Sequence, residues 1–498
     1  MDKLIIRANG RDGQPLPAAA FDSLYLTDLD RNPCRRPYGP VEDGAAVIEN
    51  AAEPFVIVMV LPVDDFGTVY LFADNEGRGY RKDGEINLHV EFARSRLHAV
   101  KERLAAYMQS GATVSPQIAR RLERSAGALK MATQSGEYTG GTVALAEKSL
   151  SESLWAGEEL VLEIARRQIA RRGPREGFLF GCNAFGLAHG EKYTKPFEGI
   201  FNFATVPFYR RGFEPEEGKP NHARADSIAA WLCGAGIKPK GHPLTWFHQA
   251  GVAEWMKAKS FDENLASARE RCETIARRYA GRIDCWDVIN EAHDWANELS
   301  YTAEQLLELT RASCEGTRAG NPPAQTIVNN CCVFGEYAAT GKTYFRQEER
   351  PLRTPHRYLR ACLDAGLDFD VIGLQLYYPG YDMFEIDRLL DWYAALGKPL
   401  HVTELGVSSA AGVDGRAHVK NPNPAWWHGP WSETVQADWV EQFYTICYGK
   451  SAIEAITWWD FADAGHFWPH GGFLRGDFTP KESYGRLKAL IGTWRAPG

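Results

Sequence analysis

The sequence predicts an α/β protein: a (β/α)8 TIM barrel preceded by an N-terminal β-sandwich-like domain and a helical connector. Three observations predict it. Eight apolar runs of strand length, each followed by a helical or loop segment, occupy the chain from position 178 to its end, which fits a barrel with insertions. Before them, residues 91–172 are rich in helix formers with apolar residues three and four apart. Residues 1–90 read as short β-runs separated by turn formers. At 498 residues, more than one domain is expected, and the divisions fall at 1–90, 91–172 and 173–498.

In the first stretch the β-runs include 21–29, 55–63, 68–73 and 86–90, and DNEGRG at 74–79 is a turn-forming segment. A small sandwich is the natural reading. ARSRLHAVKERLAAYM and QIARRLERSAGALKMA then predict a helical hairpin, broken between the two by Gly111 and Pro116. A Gly/Ser/Thr-rich stretch (134–151) leads into a further helix at 152–172. The eight strand candidates are 178–184, 201–208, 237–246, 283–291, 325–331, 370–378, 399–407 and 455–463. Good helices between them include 262–279, 303–318 and 386–396, the last closed by Gly397. A doubly wound open sheet is the rival fold, but it usually carries a Gly-rich phosphate turn after its first strand. GCNAFGLAHG does not supply one.

Composition narrows the function classes. The net charge is −8 and no basic run stands out, which argues against nucleic acid. No apolar stretch approaches the roughly 20 residues of a membrane span. The opening MDKLIIRANGRDG lacks the apolar core of a signal peptide. The expected location is therefore cytoplasmic as the sequence stands, and secreted or periplasmic where a leader has been removed. Ten Cys are scattered without CxxC pairs; Cys182, Cys285, Cys362 and Cys447 fall in apolar runs, as buried free thiols do. Fifteen Trp and twenty Tyr suit stacking on sugar faces, although large cores use them too. GEYAATGKT (335–343) has five residues between its glycines where a phosphate-binding loop has four. No metal motif appears, His466 and His470 read as polar loop residues, and no cofactor is expected.

Polar residues gather at the C-terminal ends of the strand candidates: His242 and Trp246 on the third, Asn290 and Glu291 on the fourth, Gln375 and Tyr377 on the sixth. Glu404 ends the seventh, and Trp458 and Trp459 lie on the eighth. In a barrel those ends converge on one mouth. Glu291 and Glu404 then face each other from different strands, and an idle charge at the end of an apolar strand would be costly. Glycosidic cleavage needs such a pair, one acid to protonate the departing oxygen and one carboxylate to meet the developing oxocarbenium ion.

WDVINEA (286–292) resembles the acid/base motif of glycoside hydrolase family 10, the xylanase family in the clan of (β/α)8 retaining glycosidases. VTELGV (402–407) resembles its nucleophile motif, and GHPLTW (241–246) and IGLQ (372–375) its third- and sixth-strand signatures. TWWDFADAGHFW and DFTPKESYGRLKAL match the end of the pattern in outline, so the resemblance spans roughly residues 178–494. It implies a retaining, endo-β-1,4-xylanase-like hydrolase acting on a polysaccharide or oligosaccharide by double displacement. The same chemistry on a different or decorated glycan is the alternative, and a non-catalytic carbohydrate-binding barrel is the less favoured one.

Carried over by position, Glu291 is the general acid/base and Glu404 the nucleophile. Asn290 donates to the sugar 2-hydroxyl, His242 and Trp246 shape the adjoining subsite, and Gln375 holds the carboxylates. Trp458 and Trp468 are aromatic walls. Three departures bear on substrate. VPFYRRGF (206–213) replaces the family's polar second-strand stretch, so Phe208, Tyr209, Arg210 and Arg211 are expected to make that region bulkier and more basic. Tyr377 stands where the family has His, and Gly406 where it has an acid. Trp426, Trp427 and Trp431, in the long loop 408–431, read equally as sugar platforms or as packing onto the barrel.

Overall fold

The computed structural model describes residues 3–34, 41–135, 138–377, 379–420 and 425–495. Residue 378 of the sixth strand candidate and residues 421–424 of the long loop therefore lie outside the described residues. Eight parallel strands form the barrel: Leu179–Asn183, Phe203–Pro207, Lys238–His242, Cys285–Asn290, Gln325–Asn330, Val371–Leu376, Leu400–Leu405 and Ile453–Trp458. Each pairs with the next, and the eighth pairs with the first from Ala455 opposite Leu179 to Trp458 opposite Cys182. Strands four, six and seven are buried along their whole length, as strands covered on both faces must be. The third candidate run splits in two. Pro243 cannot donate to a ladder, so the pairing breaks and resumes at Thr245–Trp246, which lies along the fourth strand.

Capping boxes start two of the outer helices. Ser260 and Glu263 do so for Phe261–Tyr279, and Thr302 and Gln305 for Ala303–Gly320. The third and fourth strands approach closely because residue 241 is glycine. A Cβ there would lie 2.0 Å from the ring of Trp286, one of the largest fully buried side chains.

The N-terminal stretch forms two sheets. Lys3–Arg7 lies between Ala45–Ile48 and Asp83–Asn87 in the smaller one. The larger has five strands: Trp426–Trp427, Gly67–Ala73, Val56–Val63, Tyr25–Thr27 and Pro33–Cys34, in that order. Its edge strand thus comes from the loop after the seventh barrel strand, with Trp426 opposite Thr68. Trp427 is fully buried and donates its indole N–H to Glu158 at 2.6 Å, and Glu158 also binds His428 and the Met383 N–H. Of the two readings open for that loop, packing is the one observed for Trp427 and Trp431, both buried.

Several expected boundaries move. The 86–90 run is strand only to Asn87, whose side chain accepts from the His89 and Val90 N–H groups and opens the helix Leu88–Met108. In 21–29 only Tyr25–Thr27 is strand, after a 3-10 turn at Ala18–Ser23. The helix expected at 152–172 begins at Gly140 and runs to Arg172. Thr139 caps it, and the buried Val143, Ala146, Leu150 and Leu154 give the Gly/Ser/Thr-rich segment a helical apolar stripe. The 386–396 helix starts earlier, at Met383, because Asp382 caps it. All ten cysteines are free, and no described helix is long and apolar enough to cross a membrane.

The contact between Gly241 and Trp286 gives a direct test. Gly241→Ala should lower unfolding stability by about 1–3 kcal/mol through overpacking, measured by denaturant titration. Unchanged stability would mean that the Trp286 ring can move aside at no cost.

Candidate active site

The C-terminal ends of the strands surround a cavity of about 890 Å3. Eight of the nine expected site residues line it: His242, Trp246, Asn290, Glu291, Gln375, Tyr377, Glu404 and Trp468. Trp458 does not. It is completely buried behind the strand, with its indole N–H donated to the Gly471 carbonyl at 2.8 Å. Successive strand side chains point to opposite faces, so the adjacent Trp459 takes the cavity position.

Glu291 and Glu404 are 7% and 6% exposed. Glu291 follows the fourth strand with φ at +54°, an uncommon conformation for a non-glycine residue, and its N–H bonds the Asn329 carbonyl at 2.9 Å. Its carboxylate accepts from two side chains, Gln375 Nε2 at 2.9 Å and Trp246 Nε1 at 3.0 Å. Glu404 likewise has two donors, the Tyr377 hydroxyl at 3.1 Å and Asn329 Nδ2 at 3.3 Å. Asn290 Oδ1 accepts from both Asn329 (2.8 Å) and Gln375 (3.2 Å). Its own amide N–H groups are therefore the part left to donate to Glu291 or to a bound hydroxyl. Gly373 makes room for this network, since a Cβ there would lie 2.6 Å from Asn329 Oδ1.

Beneath the carboxylates lies a chain of buried charges. Lys240 Nζ is 2.8 Å from Asp287 Oδ2, which is 2.7 Å from His242 Nδ1, and His242 Nε2 is 3.7 Å from Glu404 Oε1. Burial works to raise Asp287, but the Lys240 charge and the His242 hydrogen bond hold it below its usual range. Burial lowers His242 despite Asp287, so the neutral ring donates from Nδ1 and presents Nε2 to Glu404. Burial raises Glu291 against the hydrogen bonds from Gln375 and Trp246. Glu404 is raised further, by burial first and then by the negative charge of Glu291. The negative charge of one disfavours ionisation of the other, so the two titrate as a pair and ionise one after the other. The arrangement thus offers one acidic proton and one anion in a single cavity.

The second-strand departure differs from expectation. Tyr209 lines the cavity, with its ring edge-on to His242 at 5.6 Å. Phe208 is fully buried in the core. Arg210 turns away to Glu214, Ser267 and the face of Trp255, and Arg211 pairs with Glu254 outside. Neither arginine lines the cavity and each is paired with a carboxylate, so 206–213 makes the site bulkier but not more basic. Tyr377 and Gly406 belong together: a Cβ at 406 would stand 3.3 Å from the Tyr377 ring, which also stacks on Trp468 at 5.4 Å.

The sequence reading missed Lys240, Asp287, Asn329 and Asp460. Asp460 accepts from the Phe467 and Trp468 N–H groups and so fixes the Trp468 turn; burial lifts it to about 6. Asp287 and Lys240 were discoverable, as charges inside otherwise apolar strand runs. Among the described residues, no cluster of three or more His, Cys, Asp or Glu is arranged to hold a metal.

A model for glycosyl hydrolase family 10 matches residues 210–480, more than half of the chain. Endo-1,4-beta-xylanase B of Paenibacillus barcinonensis is 26% identical over 293 residues, covering 55% of this chain and 83% of that one. Endo-1,4-beta-xylanase of Geobacillus stearothermophilus is 27% identical over 274 residues, covering 51% and 74%. The crystal structure of xylanase 10B from Thermotoga maritima shares the barrel fold, with TM-score 0.50 at 20% identity over 67% of this chain and 98% of that one.

The raised carboxylates predict a pH-dependent gain from neutralising one. A carboxylate whose folded value lies above its unfolded one binds more protons in the folded state. Stability is therefore lost as pH rises from the unfolded value toward the folded one. Glu404→Gln should be more stable than wild type at pH 7 by roughly 1–3 kcal/mol, the usual cost of burying a polar group poorly. The difference should close as the pH falls to 4. Thermal unfolding across that range checks it, and a gap that widens toward acid would contradict the assigned direction.

Proposed function

The chain belongs to glycosyl hydrolase family 10, and on that footing we propose that Glu291 and Glu404 carry out retaining hydrolysis of a β-1,4-linked xylan-like glycan. The observation that carries this reading is the pair of buried carboxylates, from the ends of strands four and seven, in one cavity with two hydrogen-bond donors each.

In the first step a Glu404 oxygen attacks the anomeric carbon while the Glu291 proton passes to the glycosidic oxygen. The bond to the leaving sugar breaks and a glycosyl ester forms on Glu404. Glu291, now ionised, removes a proton from water, whose oxygen displaces Glu404 from the same carbon. Two inversions restore the original anomeric configuration, and Glu291 regains its proton. Tyr377 and Asn329 orient and stabilise the attacking carboxylate. Trp246 and Gln375 hold Glu291, and Asn290 is positioned to donate to a sugar hydroxyl. Trp459, Trp468 and Tyr209 supply ring faces and edges for the sugar.

A xylan-like substrate is supported by the relatives named as endo-1,4-beta-xylanases. The replacement of the polar second-strand stretch by a segment that offers Tyr209 favours a decorated or otherwise altered glycan over a plain one. The division into units at 1–90, 91–172 and 173–498 is part of the same proposal: the N-terminal sheets have an apolar cluster separate from that of the barrel, and the connector helices serve both, with Phe92, Leu150 and Leu154 in the first and Leu97, Val100 and Leu160 in the second.

The roles separate kinetically. Glu291→Ala should lose about 10²–10⁴-fold on natural glycans, the usual contribution of general acid catalysis, but far less on dinitrophenyl β-glycosides, whose leaving group needs no proton. Glu404→Ala should lose activity on both. Steady-state kcat/KM on the two substrate types decides this, and an equal loss for Glu291→Ala on both would remove it from the acid role.

A further inference from the structure

Arg224 is the only lysine or arginine that lines the cavity among the described residues. It makes no ion pair with any described residue. Arg224 is exposed at the cavity rim, where one hydrogen bond from Nη2 to the Phe185 carbonyl at 3.2 Å and a 5.7 Å approach of the guanidinium to the Phe185 ring lay it along the wall. The remaining donors of its planar fork are left for a ligand. Nearby cations are treated differently. Arg210 binds Glu214, Arg211 binds Glu254, and Arg278 and Arg282 take the neighbouring Asp226.

Helix stability does not account for Arg224 either. It is the second residue of the helix Ala223–Gly234, where the helix dipole disfavours a cation and favours an anion. No other lysine or arginine among the described residues lines the cavity, so Arg224 is not one of a basic cluster there. Burial and then the active-site carboxylates push the Tyr209 phenol well up, and the Arg224 charge is the cation that opposes them there.

We propose that Arg224, beside Phe185 and Tyr209, is a receptor for a carboxylate carried by the glycan, such as a uronic acid substituent. A guanidinium meets a carboxylate through two parallel N–H donors, a geometry that a neutral hydroxymethyl group does not reproduce. The helix N-terminus adds to the attraction. This inference rests on the glycosidase reading and specifies the substrate class for that site.

The test compares one uronic-acid-bearing xylooligosaccharide with the same compound after reduction of its carboxyl to an alcohol, on wild type, Arg224→Met and Arg224→Lys. The acidic compound should be preferred by about ten-fold or more in kcat/KM by wild type, as for a charge-assisted hydrogen bond. The preference should fall to near unity in Arg224→Met and be partly kept in Arg224→Lys. Raising salt should reduce it. A wild-type preference near unity, with both compounds cleaved, overturns the inference and leaves the glycosidase reading intact. If neither is cleaved, the glycosidase reading fails. Calorimetric binding of the two compounds then decides the inference, which equal affinities overturn and a preference for the acidic one upholds.

Discussion

The mouth of the barrel depends on one buried cation. Lys240 lies inside the barrel with no exposed surface, and Asp287 answers its charge at 2.8 Å. Removing either partner of such a pair typically costs about 3–5 kcal/mol, because the other is left uncompensated. The Lys240 charge therefore favours the ionised form of Asp287 against burial, and Asp287 Oδ2 also fixes the His242 ring at 2.7 Å. The ring then stands edge-on to Trp459 and Tyr209 and turns Nε2 toward Glu404. The close approach of Gly241 to Trp286 lets the third strand lie near enough to the fourth for Lys240 and Asp287 to meet. Packing, charge balance and the setting of Glu404 are thus one constraint.

The departures from the family pattern compensate each other in this frame. A tyrosine at 377 reaches Glu404 directly, and its ring needs the space that Gly406 leaves empty. Trp468 closes over the same ring, held by Asp460 through two backbone N–H groups. On the fifth strand, next to the sixth, Asn329 donates to both Asn290 and Glu404, and Gly373 admits it. Each carboxylate therefore has two side-chain donors, and Tyr377 is one of the two on Glu404. Substrate selection, carried by the loops, is freer to vary than the strand ends.

Much of this was legible in the sequence. The barrel strands are continuous apolar runs whose C-terminal residues are polar, and that local pattern identifies both the strands and the mouth. Direction within a strand end was harder to read. Trp458 and Trp459 are adjacent and chemically alike, and only the register of the eighth strand decides which faces the cavity. The basic pair at 210–211 misled for a similar reason, since its neutralising partners Glu214 and Glu254 become visible only once the loop folds. The Trp426–Trp427 strand could not be anticipated, because its pairing with Gly67–Ala73 spans more than 350 residues of sequence. The early start of the helix Gly140–Arg172 shows an apolar stripe overriding Gly and Thr composition.

The central claim is that Glu404 becomes covalently bonded to the sugar during turnover. Incubation with a 2-deoxy-2-fluoro-β-xylobioside bearing a dinitrophenyl leaving group slows breakdown of the ester more than its formation, so the intermediate should accumulate. Mass spectrometry of the intact protein followed by peptide mapping reads the result. The account predicts one glycosyl adduct, located on Glu404 and absent from Glu404→Gln. An adduct on another residue, or steady turnover that inverts the anomeric centre with no adduct at any time, would contradict it.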